Sequence, residues 1–92
     1  MNNSEIDKQH YKTIEDYFNG FSLDNCEIVI MLFKYGNRFT VHRIIEHMNF
    51  GYEIAIEIIS TLLKNDMLQW QFKENQEFYV KTIKFSDWLD TK

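Results

Sequence analysis

The sequence predicts a mainly α-helical domain with one small β-hairpin near its C-terminal end. Apolar residues recur every three or four positions in several stretches between residues 5 and 65, which is the spacing of amphipathic helices. Residues 68–83 instead form short runs rich in aromatic and β-branched residues, on either side of the polar segment KENQE. Proline is absent, and glycine occurs only at positions 20, 36 and 51, between these stretches. The turns are therefore predicted to be short.

The composition is typical of one folded cytoplasmic domain spanning residues 1–92. Hydrophobic residues make up 45% of the chain and aromatic residues 16%, which is more than a disordered acidic tail carries. A lone cysteine, Cys26, excludes an intramolecular disulfide and a zinc site built from several cysteines. The N-terminus has no apolar signal region, and no run approaches the roughly 18 apolar residues of a membrane helix. We therefore expect no membrane partner.

Two helices are predicted in the first third of the chain. Ser4 can cap a first helix near residues 5–18, with Asp7 at its third helical position. Asp24 is predicted to cap a second helix, because Glu27 follows it by three positions and Leu23 can pack against Ile28 across the cap. This second helix is predicted to stop at Gly36.

Two more helices and the hairpin are predicted to follow. Thr40 is a predicted cap, with Phe39 placed to pack against Ile44, for a short helix that ends at Asn49. After a turn, a longer helix should run from about residue 52 to 65. Residues 68–72 and 78–83 are predicted as the two strands, and residues 73–77 as their turn. The last segment, residues 84–92, offers Ser86 as the cap of a short helix.

The order helix, short helix, turn, longer helix and hairpin resembles the winged helix-turn-helix fold, and in detail the MarR-like and TrmB-like regulators. Two blocks over residues 24–83 carry the resemblance: IVIMLFKYGNRFTVHRIIEHMNFG and LLKNDML. The first is similar to that family's helix, link, Thr-led second helix and glycine turn, and the second to its exit from the recognition helix into the wing. Asp66 stands where these regulators usually have glycine, a position that Asp tolerates in a left-handed conformation. The resemblance implies a winged helix-turn-helix core with an extra N-terminal helix.

The resemblance also implies that the helix from Tyr52 is the recognition helix. Glu53, Ile54, Ile56 and Glu57 then occupy positions where DNA-binding members mostly carry Ser, Thr or Arg. None of these four side chains donates a hydrogen bond, and two are carboxylates that repel phosphates. The inward face is expected to comprise Ala55, Ile58, Ile59 and Leu62. Two interpretations stay open, since a shift of the helix by one residue would place Ile54 and Ile56 partly inside.

The flanking segments have two alternative roles. An apolar stripe on the first helix comprises Ile6, Ile14, Tyr17 and Phe18, and the C-terminal segment offers Trp88 and Leu89. In MarR-like proteins such flanking helices build the dimer, so these six residues are candidate homodimer contacts. Alternatively, both segments pack on their own domain as lids.

Catalytic and metal chemistry is weakly represented. His42 and Glu46 lie one helical turn apart, but no third metal ligand has a recognisable spacing. Cys26 is either a reactive thiol near a helix N-terminus or, more in keeping with lone cysteines, a core residue. No phosphate loop, nucleophile elbow or catalytic triad is recognisable, so we expect no enzyme, no cofactor and no small-molecule substrate.

Two functions follow from these observations. The first is a regulatory protein that contacts another protein, or a second copy of itself, through Tyr52, Glu53, Ile54, Ile56 and Glu57. It would act by occlusion or DNA mimicry, and a composition rich in Ile, Asn, Lys and Phe suits a phage or mobile-element factor. The alternative is a dimeric transcription regulator that binds duplex DNA through Arg43, Tyr52 and the wing residue Lys73. The ring of Tyr52 could equally pack on the hairpin.

Overall fold

The computed structural model describes residues 14–92, which form five helices and one antiparallel hairpin. The helices are α1 (Ile14–Asn19), α2 (Leu23–Tyr35), α3 (Val41–Met48), α4 (Tyr52–Lys64) and α5 (Ile83–Asp90), and the strands are β1 (Leu68–Lys73) and β2 (Gln76–Lys81). The mainly helical class with a small hairpin is confirmed. The predicted cap Ser4, with Asp7 and Ile6, lies outside the described residues.

The cap of α2 was predicted at the wrong residue. The Ser22 hydroxyl, and not Asp24, accepts a hydrogen bond from the Asn25 backbone N–H at 3.2 Å, and the helix begins at Leu23. Leu23 is 78% exposed, so it does not pack against Ile28 across the cap. Asp24 lies in the first helical turn, where its carboxylate complements the helix dipole.

The caps of α3 were predicted correctly, and that of α5 was not. The Thr40 hydroxyl accepts from the Arg43 N–H at 3.0 Å, and Asn49 ends α3 in a left-handed conformation with φ 58°. In α5, Thr82 is the cap in place of Ser86, since its hydroxyl accepts from the Phe85 N–H at 3.2 Å. The same hydroxyl lies 2.8 Å from the Asp66 carbonyl oxygen, which fixes the start of α5 against the end of α4.

The hairpin is tighter than predicted. Lys73 pairs with Gln76, so the turn consists of Glu74 and Asn75 alone, both with positive φ. A two-residue turn with both residues left-handed matches the twist of the two strands. The predicted five-residue turn would not need two left-handed residues in succession. Asp66 also adopts positive φ, as expected from its position.

A third chain segment pairs with the hairpin. Phe39 exchanges both backbone hydrogen bonds with Tyr79, each with a donor–acceptor distance of 2.8 Å. The segment between α2 and α3 is therefore fixed to β2. Sequence patterns did not predict this bridge, because it joins residues 40 positions apart. A strand of one residue is also too short to show the alternation of apolar and polar residues that marks a strand.

A single hydrophobic core lies between the helices and the base of the hairpin. The Phe33 ring packs between Phe39, at 4.6 Å between ring centroids, and Phe85, at 5.4 Å. Gly36 lies so close to Phe39 that a Cβ there would be 2.5 Å from a ring carbon. This contact sets the corner between α2 and the bridge to β2.

The terminal helices dock on the same core. Trp88 of α5 stacks on Phe18 of α1 with 5.4 Å between ring centroids, and its indole N–H donates to Glu15 Oε1 at 3.1 Å. Lys92 Nζ lies 3.0 Å from the same oxygen and 4.5 Å from the centre of the Trp88 ring. The hydrogen bond from Lys92 holds the pKa of Glu15 below its ordinary value. Helices α1 and α5 are thus joined by one aromatic and ionic cluster.

Candidate functional site

Helix α4 corresponds to the predicted recognition helix and is fixed by one apolar face. Ala55, Ile58, Ile59 and Leu62 are buried, as expected, and Thr61 is buried beside them. The Asn65 backbone N–H and side-chain amide both donate to the Thr61 carbonyl and close the C-terminal end. The opposite side of α4 faces outward and contains the candidate contact residues.

The two isoleucines of α4 that are candidate contact residues, Ile54 and Ile56, do not form one exposed patch. Ile54 is 42% exposed and Ile56 is half-buried. Residues two positions apart point about 200° apart around a helix, so they lie on opposite flanks of the outward side. Ile54 therefore fits the interpretation in which these residues are exposed, and Ile56 fits the alternative in which they lie partly inside. Tyr52 is 66% exposed, so the interpretation that its ring packs on the hairpin was also wrong.

The outward side of α4 is acidic over its first two turns. Glu53 and Glu57 are one helical turn apart and exposed, and the Glu53 carboxylate makes no hydrogen bond or ion pair with other residues in 14–92. Glu57 Oε1 accepts a hydrogen bond from the Tyr17 hydroxyl at 3.3 Å, so α1 lies against this flank. The only cation of α4 is Lys64 in its last turn. We call Tyr52, Glu53, Ile54 and Glu57 the α4 surface.

Cationic side chains instead line a cleft between α3 and β2. This cleft, of about 470 Å³, is lined by Arg38, Thr40, His42, Arg43, Glu46, Gln76, Glu77 and Phe78. The Arg38 guanidinium lies over the Phe78 ring at 4.4 Å, and His42 Nε2 lies 3.1 Å from Glu46 Oε2. The lining mixes both signs of charge. Tyr52 and Lys73 are not part of it, so the structure does not bring them together with Arg43 there.

Sequence reasoning missed an exposed aromatic pair on the hairpin. Trp70 and Phe72 project from the same face of β1, are 51% and 55% exposed, and lie nearly parallel with 6.3 Å between ring centroids. The Trp70 indole N–H donates to Glu77 Oε1 at 3.2 Å across the strands. The alternation in LQWQF could have signalled this pair, because side chains two positions apart on a strand lie on one face. Near the tip of a hairpin, the core does not reach far enough to cover them.

The candidate dimer residues are mostly inside the chain. Ile14, Tyr17, Phe18 and Leu89 are buried in the core, and Trp88 is half-buried against Phe18. Buried side chains offer no surface to a second copy, so for the described residues of the two flanking segments the arrangement matches the alternative in which these segments pack on their own domain. Ile6 lies outside the described residues.

The described residues contain one half-buried thiol and no cluster of metal-binding side chains. Cys26 is half-buried against the core, and burial raises the pKa of its thiol, which lowers the thiolate fraction and disfavours nucleophilic chemistry. Over residues 14–92, no three His, Cys, Asp or Glu side chains are placed to bind a metal ion together. None of the helices in that range is long and apolar enough to cross a membrane.

Comparison with protein families, curated proteins and solved structures finds no match to this chain. Its function must therefore be argued from its own surfaces.

Proposed function

We propose that this chain is a winged helix-turn-helix protein that regulates by contacting another protein through the α4 surface, and that it is not an enzyme. The order of elements supports the fold: α3, the left-handed Asn49 turn and α4 correspond to a helix-turn-helix, and β1 and β2 to the wing. The bridge between Phe39 and Tyr79 adds the short strand that ties the wing to the helices in such a fold.

The acidic character of the α4 surface carries the functional proposal. A helix that reads DNA must approach phosphates, and phosphate contacts come from Arg, Lys and neutral donors. Here Glu53 and Glu57 lie in the first two turns of the helix, and the cation Lys64 lies only in its last turn. The exposed ring of Tyr52 and the exposed aliphatic side chain of Ile54 lie beside these carboxylates. Aromatic and aliphatic groups of this kind anchor protein interfaces.

The mechanism that follows is occlusion of a basic surface. The two carboxylates would pair with cations of the partner, and Ile54 and Tyr52 would fill apolar contacts beside them. A partner that normally binds nucleic acid presents such a surface, and the occupied partner could no longer bind its substrate. In this mechanism the carboxylates of α4 take the place of DNA phosphates on the partner.

Charge reversal on α4 tests the proposal. The full-length protein is coupled to a support, and captured proteins from cells of its source are compared between wild type, Glu53→Lys with Glu57→Lys, and a matched control. The control is Asp87→Lys with Asp90→Lys, which makes the same change of charge at exposed positions of α5. The proposal predicts a captured partner that is lost only on reversal in α4. Capture unchanged by that reversal, in a variant that remains folded, contradicts it.

A DNA-binding transcription regulator is the second candidate. The observation in its favour is that Arg38 and Arg43 both line the cleft at the N-terminal end of α3, where two guanidinium groups could contact a DNA backbone. Its test is salt: affinity for duplex DNA must fall steeply as salt rises and must depend on Arg43. Glu46 and Glu77 in the same cleft weaken this candidate.

A further inference from the structure

The chain contains the same tryptophan–glutamate pair twice. In the first pair the Trp88 indole N–H donates to Glu15 Oε1 at 3.1 Å, and in the second the Trp70 indole N–H donates to Glu77 Oε1 at 3.2 Å. Each pair places a carboxylate beside the edge of an indole ring. The similarity of the two geometries makes the first pair a guide to what the second can bind.

The first pair holds a cation. Lys92 Nζ lies 3.0 Å from Glu15 Oε1, 3.1 Å from Glu15 Oε2 and 4.5 Å from the centre of the Trp88 ring. The ammonium thus gains an ion pair with the carboxylate and a cation–π contact with the indole at the same time. Trp88, Glu15 and Lys92 form a complete cation receptor within the chain.

In the second pair, no cation of residues 14–92 makes an ion pair with Glu77 or lies over the Trp70 ring, although Arg38 and Arg43 line the same cleft as Glu77. Trp70 is half exposed, and Glu77 is exposed directly opposite Phe72 in the hairpin. The Phe72 ring lies nearly parallel to the Trp70 ring and widens the aromatic surface. A carboxylate that accepts one indole N–H still has lone pairs free for further donors.

We propose that Trp70, Phe72 and Glu77 form a receptor for a lysine or arginine side chain of a basic partner protein. The proposal rests on the protein-contact function above and names a second contact on the partner, at the hairpin. Charge complementarity favours this occupant, because the hairpin tip carries two carboxylates, Glu74 and Glu77, against one cation, Lys73. The geometry of the first pair, where a lysine ammonium lies on the ring and the carboxylate together, favours the same occupant over a nucleic-acid base, although the two rings could also stack on bases.

The experiment uses the two indole N–H signals in a ¹H–¹⁵N NMR spectrum of the full chain. The chain has only two tryptophans, so Trp70→Phe and Trp88→Phe assign both signals. The probe is an acetylated, amidated Gly-Ser-Lys repeat peptide, titrated to millimolar concentration at low salt. Its control is the same peptide with glutamine for lysine. We expect the Trp70 signal to shift saturably with the lysine peptide only, and the Trp88 signal to stay, because Lys92 already occupies that receptor.

Three variants complete the test. Glu77→Gln keeps an acceptor for the indole N–H but removes the charge, and it should weaken peptide binding about threefold. Glu74→Gln removes the same charge one turn residue away from the pair and should change the affinity by less. Lys92→Gln empties the first receptor, so the Trp88 signal should then respond to the peptide as well.

Three results would overturn the proposal: a Trp70 signal that does not move, equal weakening by Glu74→Gln and Glu77→Gln, or a larger response to oligothymidine than to the peptide. The last result would identify a stacking surface for single-stranded nucleic acid. Failure here is separable from failure of the proposed function, since Glu53→Lys with Glu57→Lys alters α4 and leaves the hairpin receptor intact. If partner capture depends on α4 but the Trp70 signal does not shift with the peptide, the hairpin receptor is refuted and the proposed function is not.

Discussion

Replacing Gly36 with alanine should destabilise the corner that holds the hairpin against the helices. The added Cβ would lie 2.5 Å from Phe39 Cε1 and 2.8 Å from the Leu32 carbonyl oxygen. Ordinary carbon contacts are about 3.5–4.0 Å, so something must move by about 1 Å. The Phe39 ring is fully buried against Phe33, and the Leu32 oxygen accepts the Gly36 N–H at 3.0 Å, so neither can move freely.

Overpacking of this kind costs about 1–3 kcal/mol. In a domain of this size each kcal/mol lowers the Tm by about 4–8 °C, so we expect a fall of about 5–20 °C. Thermal and urea unfolding, followed by circular dichroism, measure the change. Gly20→Ala is the matched control, because among residues 14–92 its Cβ would meet only the Tyr17 carbonyl oxygen, at an ordinary 3.4 Å.

Repeating the substitution in a Phe39→Leu protein tests whether the Phe39 ring causes the loss of stability. In a Phe39→Leu protein the side chain opposite Gly36 is smaller, so Gly36→Ala should cost less there than in wild type. A Tm for Gly36→Ala equal to that of wild type would refute the close packing of this corner. An equal cost in both backgrounds would place the clash at the Leu32 carbonyl instead.

Three further predictions concern caps, the hairpin turn and pH. Thr40→Ala removes the cap of α3 and should lower the free energy of unfolding in urea by about 0.5–2 kcal/mol, whereas exposed Ser60→Ala should change it little. Asn75→Gly places glycine at a left-handed turn position and should stabilise the hairpin by about 0.5 kcal/mol. The midpoint of urea unfolding should rise, and a lower midpoint would contradict the left-handed conformation of Asn75. The Lys92 hydrogen bond lowers the pKa of Glu15, so its stabilisation is present above about pH 4.5 and is lost as the pH falls through the lower folded-state value. Lys92→Gln should therefore flatten the acid limb of stability against pH, and an unchanged limb would refute this ion pair.

Features set by neighbouring residues could be predicted from the sequence. The Thr40 cap, the left-handed Asn49 and the inward face of α4 each depend on residue types within one or two helical turns. The class of fold followed from the same local patterns. The turn of the hairpin was located but not its length, since KENQE contains several residues that tolerate positive φ.

Features set by distant residues could not be predicted. Ser22 and Asp24 are both good capping residues, and the local sequence does not distinguish between them. Which of Ile54 and Ile56 is the more exposed depends on how α4 packs against the core. The indole–carboxylate contact between Trp88 and Glu15 spans 73 residues, so no local pattern signals it.

Binding of labelled mixed-sequence duplex DNA, followed by fluorescence anisotropy at low and at near-physiological salt, separates the protein-contact function from DNA reading. A protein that reads DNA shows non-specific binding when screening is weak, and this binding falls steeply as salt rises. Because the α4 surface is acidic, the protein-contact function predicts no binding at either salt concentration, for wild type and for Arg43→Ala alike. Salt-sensitive binding by wild type that Arg43→Ala abolishes would contradict it and establish the cleft beside α3 as a DNA-binding site.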